Sequence, residues 1–377
     1  MTMSFTKVAR TAVPFILAVL SFGCVSNAQI PVNPSVSAPV RVMLKEEVNI
    51  YLKGVNSGTK YTVDFGDGAV VDAVAPNAAV HAYSESADFS VTVSSSVLDE
   101  DIQKTVRCYP LEALSSSLKN FRDASYKKVW VMTHRAHTTD LTIPENSVSS
   151  VAAAIASGAE FIECDTQRTK DGQVVVCHDG SINRTTTGNG DISALTLAEI
   201  QSYKLLDRNG NATNEVMPTL EEFLKACRGK IYVNLDYSPR TASTSEVMQV
   251  VQKLGMMEQV FFYCNSVAKC NEVLQLDAKA HAYTWATQYS PLVSLGGNYF
   301  VQYSYCPTDG STSIGSALRD GMLCSVNMLS VLDKAIPEVG INGEQLDDLL
   351  TVFPETKMIM TDSPKELIAA LASRGLR

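Results

Sequence analysis

The 377-residue chain contains nine cysteines but no C-x-x-C pair. That absence excludes a zinc ribbon or a thioredoxin-type redox motif. No G-x-G-x-x-G follows the first strand of the C-terminal part, which counts against a doubly wound dinucleotide-binding sheet. Apart from "TAVPFILAVLSFG" near the start, no segment is apolar enough to approach a bilayer span, and that run is itself short. Positive charge is scarce: 31 Lys and Arg face 40 Asp and Glu, for a formal net charge of −9. This argues against nucleic acid or an anionic membrane as the main partner. It leaves a phosphorylated substrate open, because a bound metal ion can invert the local field. With 21 Gly and 14 Pro, the chain shows no sign of a large disordered tract.

What is present begins with Lys7 and Arg10, the short apolar run, and "SNA" ahead of Gln29. This pattern predicts a secretory signal peptide over residues 1–28, cut after Ala28. "LSFGC" offers a rival, a lipoprotein box with Cys24 lipidated, which Ser21 and Phe22 fit poorly. The expected location is therefore exported, periplasmic or extracellular, with a membrane tether only if Cys24 carries lipid. The other cysteines are scattered, and Cys164, Cys177, Cys264 and Cys324 sit in apolar strand-like runs where buried thiols belong. An exported protein leaves room for a stray disulfide, for example Cys264 with Cys270, which spacing alone does not show.

Residues 29–41 read as a Pro/Ser linker. From 42 to 108 short alternating segments with turn signals predict a small β-sandwich. "FGDG" at Phe65–Gly68, then "HAY" and "FSVTV", resemble a PKD-type immunoglobulin-like module, with Val63 where that family has Trp and Ser86 or Ala87 where it has Gly. Such a module spaces or docks a catalytic domain. Residues 109–128 read as a helical connector. From 129 to 377 strands alternate with helices: "VWVMT", "EFIECDT", "QVVVC", "KIYVNLD", "QVFFYC", "AHAYTW", "MLCSVN" and "KMIMTD" are the strands. That rhythm implies a parallel sheet, and its length suits a (β/α)8 TIM barrel of roughly 250 residues. A doubly wound open sheet is the alternative. Asn146 reads as the N-cap of the first helix and Gly158 as its stop.

Polar residues fall at the C-terminal ends of these strands: His134-Arg135, Glu163 and Asp165, His178-Asp179, Asp236, Asn327 and Asp362. In a barrel those ends share one rim, where active sites are built. Period two sends Glu163 and Asp165 to one face while Ile162 and Cys164 pack on the other. Asn234 and Asp236 share a face in the same way. Three carboxylates in one cavity repel unless a cation compensates them, and all-oxygen ligands favour Mg²⁺ or Ca²⁺ over zinc. Two of the five histidines, His134 and His178, lie on the same rim, which suits acid–base chemistry. Arg135 is a forked donor suited to phosphate. Asp362, ahead of "SPKEL", reads at least as well as a helix cap. His137, His81 and His281 read as loop, β-module and strand residues, and Arg184–Gly190, "RTTTGNG", as a surface turn.

Together "HRA", "PENS", "GAEFIECDTQRTKDGQVVVCHD", "NRTTTGNG", "MPTLEEFLKAC", "SVN" and "IMTDSP" resemble the glycerophosphodiester phosphodiesterase family, from about Val129 to the C-terminus. The resemblance implies a TIM barrel with a small insertion, here residues 180–216. It implies His134 and His178 as the catalytic acid–base pair, with Arg135 binding phosphate; His134 is read as acid and His178 as base, with the reverse order left open. Glu163, Asp165 and Asp236 would hold the metal. Products would be glycerol 3-phosphate and an alcohol such as choline or ethanolamine, reached directly or through a cyclic phosphate. Three departures stand out. Ala136 replaces a Gly, Ser238 stands where a phosphate-binding Lys is usual, and Cys324 replaces a Trp. With Asn234 and Asn327, Ser238 and Cys324 would shape the pocket. The alternative is an exported, non-catalytic protein that holds a phosphodiester or glycan on a degenerate barrel.

Overall fold

The computed structural model describes residues 34–377 except 124, 238–240, 286–299, 305–322, 328, 330–339 and 355. The expected signal peptide with Cys24, Ser238, and the side chain of Cys324 lie outside the described residues.

Eight strands come first: β1 Ser35–Ser37, β2 Arg41–Leu44, β3 Val48–Lys53, β4 Lys60–Asp64, β5 Val70–Val74, β6 Ala79–His81, β7 Asp88–Ser94 and β8 Ile102–Glu112. They form a sheet ordered β1-β3-β6 and a second ordered β2-β8-β7-β4-β5. Alternation puts Val48, Ile50 and Leu52 of β3, and Phe89, Val91 and Val93 of β7, into one shared core. Two sequence expectations need correction. The linker is already structured at Ser35, because Val36 packs on that core from a short strand next to prolines, a place where Pro is tolerated. The helical connector is mostly not helical: β8 runs on to Glu112, and the helix spans only Leu114–Asn120.

That short helix closes the floor of the barrel built by the strands that follow. Leu114, Leu118 and Phe121 recur at helical spacing and bury against Trp130, Phe161 and Tyr232. The Tyr232 hydroxyl donates to Glu112 O at 2.9 Å and meets Ser117 Oγ at 2.8 Å, which ties the plug in place.

The remaining strands are β9 Trp130–Thr133, β10 Phe161–Arg168, β11 Val174–Val176, β12 Tyr232–Asp236, β13 Val260–Tyr263, β14 His281–Trp285, β15 Phe300–Ser304, β16 Leu323–Asn327 and β17 Met358–Thr361. Eight of them, all but β11, pair in parallel, and β17 returns to β9 to close the ring. Closure excludes the open doubly wound alternative. The eight strands are not quite those expected. "QVVVC" is not a barrel strand: β11 pairs antiparallel with β10, outside the ring. The reason is the turn, since "TKDG" is far too short for a parallel crossover of a dozen residues or more. Its place in the ring is taken by β15, "FVQYS", which the sequence reading passed over.

Period two divides each barrel strand. Val131, Ile162, Cys164, Val233, Leu235 and Phe262 pack outward against the helices. Trp130, Met132, Phe161, Tyr232 and Phe261 point inward and fill the barrel above its plug. The inward face of β10 therefore rises from Phe161 to Glu163 to Asp165. That of β12 rises from Tyr232 to Asn234 to Asp236, in register with it. Apolar layers fill the floor, and polar layers begin where the mouth opens. Cys264 and Cys270 are both buried thiols, so the disulfide considered for them does not form.

Candidate functional site

The ladder sets the carboxylate geometry. Glu163 pairs with Asn234, and Asp165 with Asp236, across adjacent strands. Ligand oxygens of Glu163, Asp165 and Asp236 all lie within 4.8 Å of one another. Glu163 and Asp165 are buried at 4% and 2% exposure. Burial first, and then the neighbouring Asp165 and Asp236 charges, push the Glu163 carboxyl well above the usual range. Three crowded, desolvated carboxylates form a site with surplus negative charge. Such an all-oxygen donor set fits a hard divalent cation.

The turn after β9 brings the next groups in. Arg135 and Ala136 are both left-handed, at φ 49° and 56°, so the chain reverses directly after His134. The Arg135 N–H donates to Glu163 Oε2 at 2.6 Å. Its Nε lies 3.9 Å from Asp165 Oδ2, buried and without a hydrogen-bond partner among the described residues. The reversal also explains why glycine would suit position 136, since only glycine takes this conformation without cost.

Four residues outside the expected catalytic set belong to this site. His137 does not sit in a loop away from the chemistry: it is buried, and its Nδ1 lies 2.7 Å from Asp362 Oδ1. Asp362 is not a helix cap. Ser363 holds the cap position, and Asp362 instead accepts from both His134 and His137. Asn146 is not an N-cap either, because Ser147 caps the helix Val148–Ser157 through a capping box with Ser150. Asn146 takes the left-handed conformation at φ 53° and donates Nδ2 to Asp165 Oδ2 at 3.1 Å. Arg184 opens a segment that is more than a surface turn. Thr185 and Thr186 are buried, and the Arg184 guanidinium bonds both Glu145 and Asp179.

The electrostatics follow from these pairs. Burial lowers His134, and Asp362 only partly offsets it. For His137 burial also acts downward, but Asp362 and Glu145 outweigh it and the net shift is up. Burial would raise Asp362 and Glu145. Their partners, His134 and His137 for Asp362 and Arg184 and His137 for Glu145, win in both, leaving each carboxyl well below its ordinary value.

His178 arrives by a different route. The β10–β11 hairpin turns at Gly172, φ 80°, and runs back so that Cys177 N donates to Asp165 O at 3.0 Å. The next residue, His178, is thereby placed on the rim, with Nδ1 2.7 Å from Asp179 Oδ1. Gln167 Nε2 fixes the His178 carbonyl at 3.1 Å.

His134, His178, Glu163, Asp165 and Asp236 all line one cleft of about 170 Å³ at the barrel mouth. Asn234 and Asn327 are on its wall as expected, joined by the aromatic rings of Tyr263 and Trp285. His81 and His281 stay outside it, bonded to Asp67 and Glu258.

Residues 134–289 match the model of the glycerophosphoryl diester phosphodiesterase family. Among curated proteins, the chain is 36% identical over 111 residues to a glycerophosphodiester phosphodiesterase of Caldanaerobacter subterraneus, covering 29% of this chain and 45% of that one. It is 43% identical over 76 residues to one of Bacillus subtilis, covering 20% and 25%. The chain thus spans about half, or less, of the curated relatives it matches. Among solved structures, a glycerophosphoryl diester phosphodiesterase from Parabacteroides distasonis matches at TM-score 0.60 and 21% identity, over 71% of this chain and 94% of that one. An Oleispira antarctica phosphodiesterase, solved with the product sn-glycerol-3-phosphate, matches at 0.52 and 17%, over 64% and 96%. At these identities the structural likeness establishes a shared TIM-barrel fold.

Proposed function

We propose that the barrel hydrolyses glycerophosphodiesters to glycerol 3-phosphate and an alcohol. The observation that carries this reading is the convergence of two carboxylate-oriented histidines and three crowded carboxylates on one cleft. The activity for which the matching relatives are named, and the product bound in the Oleispira structure, support the same substrate class. The metal ion would be held by Glu163, Asp165 and Asp236, with Mg²⁺ or Ca²⁺ suiting their oxygens, and would supply Lewis-acid polarisation of the phosphoryl group.

The chain's own groups do the rest. Arg135, its backbone fixed on Glu163, presents a guanidinium to a non-bridging phosphate oxygen. Asp362 accepts the Nδ1 proton of His134, which fixes the tautomer and leaves Nε2 for the reaction. Burial favours neutral His134 at rest, which supports reading it as the base, one of the two orders that the sequence leaves open. It takes a proton from the attacking water as the new P–O bond forms. Where a neighbouring substrate hydroxyl attacks instead, this step gives a cyclic phosphate, which water opens to glycerol 3-phosphate in a second step with the two histidines in exchanged roles. The P–O bond to the alcohol breaks, and His178 gives its proton to the departing alkoxide. Each role is worth about 10²–10⁴-fold in rate. Tyr263 and Trp285 give the alcohol an aromatic wall.

Residues 1–28 fit export to the periplasm or cell exterior. The β-sandwich, of PKD type in this reading, spaces or docks the barrel. The test is incubation of the purified protein with glycerophosphocholine, with Mg²⁺, with Ca²⁺ and with EDTA. Cation-dependent release of glycerol 3-phosphate supports the reading, and intact substrate under every cation overturns it.

A further inference from the structure

We infer that His137 is a positioning residue for this reaction: it clamps Asp362 beneath His134, and an unbroken run of charge pairs carries that hold around the rim to His178. The inference rests on the reaction proposed above.

Asp362 is where the two histidines meet. Its side chain is 29% exposed, yet one oxygen, Oδ1, meets both imidazoles, His134 Nδ1 at 2.9 Å and His137 Nδ1 at 2.7 Å. The two rings stand edge to face, 5.6 Å apart. A partly exposed carboxylate with a single partner can rotate toward solvent. One held by two donors on the same oxygen cannot rotate without breaking both bonds. His137 is well suited to be the second donor, because it is itself immobilised. Its ring is 9% exposed, its backbone N–H donates to His134 O at 2.8 Å, and its Nε2 faces Glu145 Oε2 at 3.5 Å, an ion-pair contact rather than a hydrogen bond. The two left-handed residues between the histidines make this return possible.

The run continues beyond His137. Glu145 accepts both terminal nitrogens of Arg184, at 2.7 and 2.8 Å. Arg184 Nε donates to Asp179 Oδ2 at 2.7 Å, and Asp179 Oδ1 holds His178 Nδ1 at 2.7 Å. Each imidazole of the cleft thus rests on a carboxylate, and the two carboxylates are joined through His137, Glu145 and Arg184. Substituting the partners of catalytic ligands in this way costs about 10–100-fold in activity.

Three forms of the protein decide it: wild type, His137→Leu, which removes the donor, and His137→Asn, whose amide nitrogen can stand where Nδ1 stands. Turnover of glycerophosphocholine is measured with saturating cation across pH. The charged groups facing His137 are Asp362, Glu145, Arg208 and His134, so the profiles are read against all four. In parallel, proton–nitrogen NMR on ¹⁵N-histidine protein follows the hydrogen-bonded Nδ1–H of His134, identified by its loss in His134→Gln. We expect His137→Leu to lose about 10–100-fold in kcat with little change in KM, and to lose the protected His134 signal. His137→Asn should restore both, and thermal melts of each variant confirm that it folds. A His137→Leu protein with wild-type kcat overturns the inference, as does loss of kcat with the His134 signal intact. If the wild type turns over no glycerophosphodiester, the proposed function fails, and the NMR signal alone decides whether His137 holds the pair together.

Discussion

His134 Nδ1 and Asp362 Oδ1 meet at 2.9 Å although 228 residues separate them in the chain. Barrel closure makes the meeting: β17 pairs with β9, Thr361 lies beside Thr133, and the next residue on each strand is the one that counts. Replacing Asp362 by Asn keeps the shape but turns a charged acceptor into an amide that can present a donor to Nδ1. Asp362→Asn should lower kcat by about 10–100-fold while KM changes little, as steady-state assays on glycerophosphocholine would show.

Glu163 carries a second prediction. Without a cation its carboxyl is raised by burial and by its two neighbours. A raised acid stabilises the fold below its unfolded pKa of about 4.3, and that stability is lost as pH rises through the folded value. Between the two values the cation-free protein therefore loses stability as pH rises. Glu163→Gln should raise the stability of the cation-free protein by about 1 kcal/mol in thermal melts at pH 7. The same change should abolish the stabilisation given by cation, which for wild type reaches about 2.7 kcal/mol at 100 times Kd.

Glu145 responds in the opposite sense. Glu145 and Asp362 are held below the usual carboxylate values, so their stabilisation is complete above about pH 4.5 and fades as pH falls through the depressed folded values. His137 is raised, so its share is complete below about pH 6.5 and is lost as pH rises through its folded value. Glu145→Gln should cost about 1–3 kcal/mol at pH 7, measured by denaturant unfolding, and progressively less toward pH 2.

Ala136 tests the turn itself. A left-handed alanine costs about 1–2 kcal/mol, of which glycine gives back part through its freer unfolded state. Ala136→Gly should raise stability by about 0.5–1 kcal/mol in denaturant titrations.

Much of this was readable from the chain. Glu163, Asp165, Asn234 and Asp236 announced themselves because each pair interrupts an apolar strand at period two, and the structure keeps all four on the inward face. The barrel was legible from alternating strands and helices, though one strand was misjudged. "VVVC" has the content of a buried strand, and only its four-residue "TKDG" turn betrays that it must run antiparallel. The segment that holds β15, "FVQYS", has no clear helix signal ahead of it to mark it as a barrel unit. The supporting groups were harder. His137 depends on two left-handed residues that a non-glycine sequence does not advertise. Asn146, Glu145 and Arg184 sit in loops, where no periodicity assigns a direction. Asp362 could have been found: closing a barrel sets its last strand beside its first, so the residue after β17 had to neighbour His134.

The most direct test compares glycerol 3-phosphate release from glycerophosphocholine by wild type, His134→Ala and His178→Ala, with Mg²⁺ or Ca²⁺ present. The account predicts turnover by the wild type and a loss of about 10²–10⁴-fold in each variant. His178→Ala alone should recover much of its rate on a p-nitrophenyl phosphodiester, whose leaving group needs no proton. A wild type inert with both cations, or variants as fast as the wild type, would contradict it.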